Sequence, residues 1–256
     1  VTGAISLPVG FKAAGLHCGV KKDPALLDLS LFVSDQPCVS AGVFTQNRVC
    51  GAPVKVSRER VKRTTTRSVV LNSGNSNACT GERGIADAKW MTGEVAAKIG
   101  CAPEDVLVCS TGVIGRFLPK EALQKGIEKI VPQLAASDTA FELAARGMMT
   151  TDTHHKQSTR TGVIGGKTVR VSGCSKGAAM IAPNMATMLC VMLTDAGLEV
   201  TQADAMLREA VSKSFNCISV EGHTSTSDTV LLLANGASGV KISTPVSVMP
   251  IECSYC

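Results

Sequence analysis

The chain has 256 residues, of which 45% are hydrophobic and only 3% aromatic, so its core must be built mainly from aliphatic side chains. A formal net charge of +5 is too small and too dispersed to indicate a nucleic-acid-binding protein. The eleven cysteines are scattered, several of them within apolar runs, which indicates reduced thiols rather than a disulfide-bonded scaffold, and no apolar run is long enough to cross a bilayer.

Two apolar stretches near the start predict a β-hairpin. Apolar and polar residues alternate over residues 27–33, and residues 38–45 form a second extended stretch. The Asp-Gln-Pro sequence at 35–37 is typical of a turn, so we expect it to join the two strands. Val54 and Val56 then predict the start of another strand.

A polar loop precedes a predicted helix and strand. Asn and Ser side chains at 72–81 can hydrogen-bond their own backbone, as a plain turn or as a support beside an active site. Apolar spacing predicts a helix over residues 84–99 and a strand over 106–110. The strand leads into Thr111 and Gly112, where the backbone could form an oxyanion hole, a phosphate-binding nest or an ordinary turn. All three alternatives remain open.

Two helices and a hairpin are predicted in the next part of the chain. Apolar residues at helical spacing predict one helix that begins at Pro119 and another that Ser137 caps. Residues 160–171 predict a hairpin with Gly165 and Gly166 at its turn. The glycine spacing of a phosphate-binding P-loop is not present there.

His154 and His155 lie close to Asp152, and these are residue types that bind metals. Adjacent side chains on a strand point to opposite faces of a sheet, so we expect the two histidines not to share an ion. The C-x-x-C sequence at 253–256 has no second cysteine pair and no nearby histidine. We therefore predict no metal site.

The composition of residues 176–190 changes part-way along the segment. The first part is small and flexible, and Pro183 removes a backbone donor, so an extended loop is predicted there. Residues 187–193 are a continuous apolar run of the length of a buried strand. The sequence therefore predicts a strained loop that leads into a buried strand whose first residue is Thr187.

A threonine at such a junction can act as a nucleophile. The Thr187 hydroxyl could attack the carbonyl before it, and hydrolysis of the resulting ester would leave Thr187 as a new N-terminus. Its free α-amine, with a pKa near 8, would then be a general base for its own hydroxyl. The alternative is an ordinary junction in which Thr187 starts the strand because it is β-branched.

The last predicted elements are a helix and a strand. Thr201 is expected to cap the helix, with Asp204 three residues later. Residues 214–220 predict a strand that leads into a hydroxyl-rich loop at 221–229.

The run Lys-Gly-Ala-Ala-Met-Ile-Ala-Pro-Asn-Met-Ala-Thr-Met-Leu at 176–189 resembles the signature of the ornithine acetyltransferase family, the bifunctional glutamate N-acetyltransferases of arginine biosynthesis. In that family the chain cleaves itself between Ala and Thr, which implies cleavage at Ala186–Thr187. Ala179 stands where the family usually has glycine, and its methyl group could slow the cut if φ there must be positive. The resemblance covers residues 2–239 and implies a C-terminally truncated chain that lacks roughly the last third of the family architecture.

Other segments resemble family motifs and imply site residues. The Ser-Thr-Gly-Val-Ile-Gly segment implies an oxyanion hole formed by Thr111 and Gly112. The Met-Thr-Thr-Asp-Thr segment implies that Thr150 contacts the substrate, and Lys176 suits a substrate carboxylate. Thr187 is implied as the nucleophile, and it would also contact the substrate.

The resemblance also implies a fold and an assembly. The expected fold is α/β, a layered αββα-like sandwich that resembles N-terminal-nucleophile enzymes in its chemistry. Self-cleavage would give an α-chain segment of residues 1–186 and the start of a β chain at residues 187–256. Two α and two β chains would form a heterotetramer in the cytoplasm, or in a plastid or mitochondrion if the source is eukaryotic.

The implied reaction is acetyl transfer from N-acetylornithine to glutamate by a ping-pong mechanism through acetyl-Thr187. No cofactor is expected, and acetyl-CoA stays open as a second acetyl donor. Small-molecule substrates are expected, with no nucleic-acid or membrane partner. Two alternatives remain, namely an autoprocessing amidase that uses water as the acceptor, and an inactive truncated fragment that acts only as an interaction protein.

Overall fold

The computed structural model describes residues 4–178, 188–218, 220 and 225–242. Within these ranges the strands are β1 Phe11–Leu16, β2 Leu29–Phe44, β3 Thr66–Asn75, β4 Val106–Val113, β5 Lys156–Ile164, β6 Lys167–Lys176, β7 Leu189–Thr194 and β8 Thr229–Ala234. The α-helices are α1 Ala52–Arg60, α2 Gly81–Ile99, α3 Lys120–Ile130, α4 Asp138–Met148 and α5 Val200–Lys213. Ala179 and the predicted cleavage bond Ala186–Thr187 lie outside the described residues.

The strands are joined in the order β4-β3-β2-β8-β7-β6-β5, and β1 pairs with β2. The β3–β4 and β7–β8 pairs are parallel, and the other pairs are antiparallel. Parallel neighbours need a crossover connection, which α2 provides for the first pair and α5 for the second.

The strand β2 belongs to both halves of the sheet. Its first residues pair with β1 and β3, and from Val39 onward it pairs with β8. The register with β3 shifts between Val33 and Cys38. The predicted hairpin at 35–37 is therefore wrong. The chain passes through this point as one irregular strand, and Pro37 is tolerated because an irregular position does not require its missing N–H.

The hydrophobic side chains form stacked layers. One cluster contains residues of β3 and β4 together with residues of β7 and β8, so it lies between the two halves of the sheet, and Phe141 of α4 joins it. A second cluster packs α1, α2 and α3 on the outer face of β3 and β4. A third packs α5 on the outer face of β7 and β8. This order of helix, sheet, sheet and helix confirms the predicted layered α/β fold.

Two predicted elements and one predicted helix cap in this fold are wrong. Val54 and Val56 lie in the helix α1, which has a proline in its first turn, a position where proline favours a helix. The helix α5 is capped by Glu199 in a capping box with Gln202, two residues before Thr201. A 3₁₀ turn, Phe215–Cys217, occupies part of the predicted strand at 214–220.

Other local predictions are confirmed. The helix predicted over 84–99 lies within α2, and the strand predicted over 106–110 lies within β4. The Ser137 side chain caps α4 by accepting the Ala140 N–H at 3.2 Å. Gly165 and Gly166 form the β5–β6 turn with φ values of +56° and +77°. Among the described helices, none combines the length and the apolar character needed to span a membrane.

Candidate active site

The C-terminal end of β4 places Thr111 and Gly112 beside the end of β3. Thr111 opposes Ser73, and Gly112 opposes Gly74 in the parallel ladder. The two glycines approach so closely that a methyl group on Gly112 would lie 2.3 Å from the Gly74 carbonyl carbon. Gly112 also has a φ of +130°, which side chains other than glycine rarely adopt. This position therefore requires glycine.

We expect the Gly112→Ala substitution to lower the free energy of unfolding by about 3 kcal/mol or more, because the methyl group adds a backbone clash to an unfavourable φ. Urea unfolding measures this change. The control is Gly93→Ala in α2, where the added methyl group meets no atom within 4 Å and should stabilise the helix by about 0.5–1 kcal/mol. A Gly112→Ala protein as stable as the parent would show that the two strands do not approach this closely.

Polar side chains at the end of β3 and in the loop after it support this end of β4. Ser110 Oγ donates to Asn72 Oδ1 at 2.6 Å, and Asn72 Nδ2 donates to the Asn75 carbonyl at 2.8 Å. Ser76 Oγ donates to the Val113 carbonyl at 2.9 Å. The predicted loop at 72–81, for which two interpretations were open, begins within β3 and ends at the start of α2, and its polar side chains support the backbone next to Thr111.

Lys176 connects the two halves of the sheet at this point. It is the last residue of β6, its side chain is only 3% exposed, and its Nζ donates to Thr111 Oγ1 at 3.1 Å. Burial lowers the pKa of the Lys176 ammonium, while Asp152 and Asp228 act in the opposite direction. The sheet thus brings a buried cation to the predicted oxyanion hole.

Asp152 holds three groups near Lys176. Its Oδ1 accepts the Gly177 N–H at 2.8 Å and the Lys156 ammonium at 2.6 Å. Its Oδ2 accepts the Thr150 N–H at 3.2 Å. Burial raises the pKa of this carboxyl, but the ion pair and the backbone donors outweigh burial and hold the pKa below its usual value. Thr150 is thereby tied to the residue that follows Lys176.

Asp228 lies on the other side of the site, immediately before β8. It is fully buried, and its Oδ1 accepts the Met188 N–H at 2.8 Å. The Met188 carbonyl in turn accepts the Thr229 N–H at 2.9 Å. Burial raises the pKa of the Asp228 carboxyl to about 7. The first described residue after Thr187 is therefore held by a buried carboxyl.

Comparison with known proteins places this chain in a family. The model of the ArgJ family matches residues 12–250 of the chain. The chain belongs to the ArgJ family. The match extends beyond residue 239, where the sequence resemblance ended.

A curated ArgJ relative and two solved structures are similar to this chain. The arginine biosynthesis bifunctional protein ArgJ of Geobacter sulfurreducens is 47% identical over 230 residues, which are 90% of this chain and 58% of the relative. The ArgJ crystal structure from Bacillus halodurans has a TM-score of 0.67 and 38% identity, covering 72% of this chain and 95% of that one. An ornithine acetyltransferase of Mycobacterium tuberculosis, solved with ornithine, has a TM-score of 0.63 and 33% identity, with coverages of 73% and 97%.

The structure brings together most of the site residues expected of an ArgJ chain. Thr111, Gly112 and Lys176 meet where β4 and β6 end. The Thr150 backbone reaches the same region through Asp152. Thr187 and Ala186 lie outside the described residues, so their predicted roles stay predictions.

Three charged residues that the ArgJ motifs did not single out support the site. Asp152 and Asp228 each sit in a hydroxyl-rich run, where a carboxyl among hydroxyl side chains was the available signal. Lys21 is partly buried, and its Nζ donates to the Leu27 carbonyl at 2.6 Å and to the Met149 carbonyl at 2.7 Å. Lys21 thereby fixes the residue before Thr150, and nothing in the local sequence indicates this contact.

The two adjacent histidines are not on a strand. His154 and His155 precede β5, and both line one cleft together with Arg146. The argument that their side chains point to opposite faces of a sheet is therefore wrong. Within the described part of this ArgJ chain, no group of three or more His, Cys, Asp or Glu side chains is arranged to hold a metal ion.

Proposed function

We propose that this chain carries the catalytic centre of a self-cleaving acetyltransferase that moves an acetyl group from N-acetylornithine to glutamate in arginine biosynthesis. The observation that carries the proposal is the contact between the buried Lys176 ammonium and the Thr111 hydroxyl, next to Gly112. The relative solved with ornithine supports this choice of substrate. The chain spans 58% of the Geobacter relative's length, so the activity of the whole relative is assigned to this chain as a proposal.

The Lys176–Thr111 contact fixes the direction of one hydrogen bond. An ammonium has three donors and no acceptor, so Thr111 Oγ1 must be the acceptor in this pair. The hydroxyl hydrogen of Thr111 is then free to point elsewhere. A hydroxyl polarised by a buried cation is a strong donor to a developing oxyanion. We assign this role to Thr111, together with the backbone N–H of Gly112.

Self-cleavage would begin with attack of Thr187 Oγ on the Ala186 carbonyl carbon. The peptide C–N bond breaks, the nitrogen takes up a proton, and an ester joins Ala186 to the Thr187 oxygen. Water then hydrolyses the ester, so residues 1–186 end in a carboxylate and residues 187–256 begin with a free amine. That amine and its own hydroxyl form the nucleophile–base pair.

Acetyl transfer would use the same oxygen in two steps. Thr187 Oγ attacks the acetyl carbonyl of N-acetylornithine, its α-amine takes the proton, and ornithine leaves with that proton on its amine. The glutamate amine then attacks the acetyl ester and restores the Thr187 hydroxyl. Lys176 would hold a substrate carboxylate, and Thr150 would contact the substrate as well.

The remaining expectations complete the proposal. No cofactor takes part in either step, although acetyl-CoA could replace N-acetylornithine as the acetyl donor. The cleaved pieces would assemble as two α and two β chains in the cytoplasm, or in an organelle if the source is eukaryotic.

Intact mass under denaturing conditions tests the cleavage. We expect two pieces of 186 and 256 − 186 = 70 residues from the parent chain, and a single uncut chain from Thr187→Ala. An uncut parent, or a Thr187→Ala chain that still splits, would contradict the assignment of Thr187.

Product analysis then separates transfer from hydrolysis. With N-acetylornithine and excess glutamate, a transferase forms N-acetylglutamate, whereas an amidase releases acetate. Thermal unfolding with ornithine provides an independent test, because a ligand that binds only the folded protein must raise its Tm. Acetate as the main product would favour the amidase.

A further inference from the structure

Two buried carboxyls flank the segment that contains the proposed cleavage bond. Upstream, Asp152 Oδ1 accepts the Gly177 N–H at 2.8 Å. Downstream, Asp228 Oδ1 accepts the Met188 N–H, also at 2.8 Å. The residues on either side of positions 178–187 are thus both attached to aspartates that solvent hardly reaches.

Each aspartate is itself fixed by other elements. Asp152 also accepts the Thr150 N–H and the ammonium of Lys156, the first residue of β5. The Asp228 backbone carbonyl accepts the N–H of Thr45, immediately after β2. Both attachment points therefore belong to the framework of the sheet and do not depend on the segment between them.

The two attachments lie next to the proposed catalytic groups. Gly177 directly follows Lys176, whose ammonium contacts Thr111. Lys176 opposes Leu189 across the β6–β7 ladder, and Leu189 directly follows Met188. The two ends of the segment are consequently held next to each other, where β6 ends and the neighbouring strand β7 begins.

We propose that Asp152 and Asp228 act as a two-point clamp that positions the segment for self-cleavage. The inference rests on the proposed function, because it assigns these carboxyls a part in the cut at Ala186–Thr187. Neither aspartate touches the reacting atoms in this scheme, so both are positioning residues. Fixing both ends reduces the conformations open to the segment and so favours the geometry of attack.

Substitutions separate this role from general stability. Asp152→Ala and Asp228→Ala remove the acceptors of Gly177 and Met188. Asp228→Asn keeps a carbonyl oxygen that can accept the Met188 N–H, so it should restore positioning. Asp195→Ala is the matched control, because Asp195 is also buried and accepts two backbone N–H groups, from Arg170 at 2.8 Å and Val9 at 3.1 Å. Asp195 follows the C-terminal end of β7, whereas Met188 precedes its N-terminal end.

The measurement is the rate at which the newly made chain splits. Each variant is pulse-labelled in cell-free synthesis, chased, and followed on denaturing gels, and the thermal unfolding of the purified protein is recorded. We expect Asp152→Ala and Asp228→Ala to split about 10- to 100-fold more slowly than the parent. Asp228→Asn and Asp195→Ala should remain within about threefold of the parent rate, whatever their Tm.

The clamp would be overturned if folded Asp152→Ala or Asp228→Ala split at the parent rate. It would also be overturned if Asp195→Ala split as slowly as those two variants. Hydrogen exchange gives a readout that does not need the cut. In a Thr187→Ala background, the Gly177 and Met188 amides should be protected, and each should lose protection when its own aspartate is replaced. If these amides were unprotected, the clamp would be overturned and the proposed self-cleavage would stand. If the parent chain never split, both the proposed self-cleavage and the clamp's part in it would be overturned.

Discussion

Replacing Lys176 with methionine is expected to lower kcat for acetyl transfer by about 10²–10³-fold, the loss typical of removing one group that stabilises an oxyanion. Methionine fills a similar volume and leaves Thr111 without its cationic donor. The free energy of unfolding should change by less than about 1.5 kcal/mol, because burying the charge is itself unfavourable. Steady-state kinetics and urea unfolding measure the two effects.

Lys12→Met serves as the control for this substitution. Lys12 pairs with an aspartate, Asp35, at 2.7 Å, and its side chain is 43% exposed. In the sheet it lies level with Val106, at the opposite end of β4 from Thr111. An exposed ion pair contributes little, so both activity and stability should stay close to the parent values. If Lys176→Met kept its activity, the oxyanion role assigned to Thr111 would lose its main support.

Replacing Asp228 with asparagine is expected to change how stability depends on pH. Burial raises the pKa of Asp228 to about 7 in the folded protein, above the value of about 3.9 for an unfolded chain. The folded state therefore binds this proton more tightly, and the resulting stability is lost as the pH rises toward 7. Relative to Asp228→Asn, the parent should lose on the order of 2–3 kcal/mol between pH 5 and pH 8.

The experiment compares urea unfolding at several pH values in the Thr187→Ala background, where the chain stays whole. The difference between parent and variant isolates Asp228 and its charged neighbour Lys176 from the other titrating groups. Asp152→Asn is the control with opposite sign. The folded pKa of Asp152 is lowered, so its contribution is present at neutral pH and is lost as the pH falls. A pH-independent difference for Asp228→Asn would contradict the raised pKa.

The family resemblance implied the layers and sequence patterns predicted many of the elements, and those patterns failed where tertiary contacts decide the local structure. Val54 and Val56 alternate as in a strand, yet both are buried on a helix that a proline starts. The Asp-Gln-Pro sequence at 35–37 is typical of a turn in many proteins. Here Val33 and Cys38 on either side of it both pair with β3, at Ser68 and Thr66, so the chain continues in one direction.

In the candidate site, too, the sequence selects some residues, and the fold alone reveals their contacts. A resemblance in motifs was enough to select Thr111, Gly112 and Lys176, which the fold brings together. The reason that Gly112 must be glycine lies in its close approach to Gly74, which is 38 positions earlier in the chain. The partners of Asp152 and Asp228 are likewise set by the packing of the sheet. Sequence spacing alone does not reveal such contacts.

The strands β7 and β8 lie side by side within the sheet, and each is bordered by a strand from the earlier part of the chain. β7 pairs with β6 through six residue pairs, and β8 pairs with β2 through six more. A cut between Ala186 and Thr187 would leave β7 and β8 in the C-terminal piece, paired on either side with β6 and β2 of the N-terminal piece. Dissociation would require both ladders to open together. The nicked protein should therefore elute as one species in native gel filtration and separate into two only in denaturant.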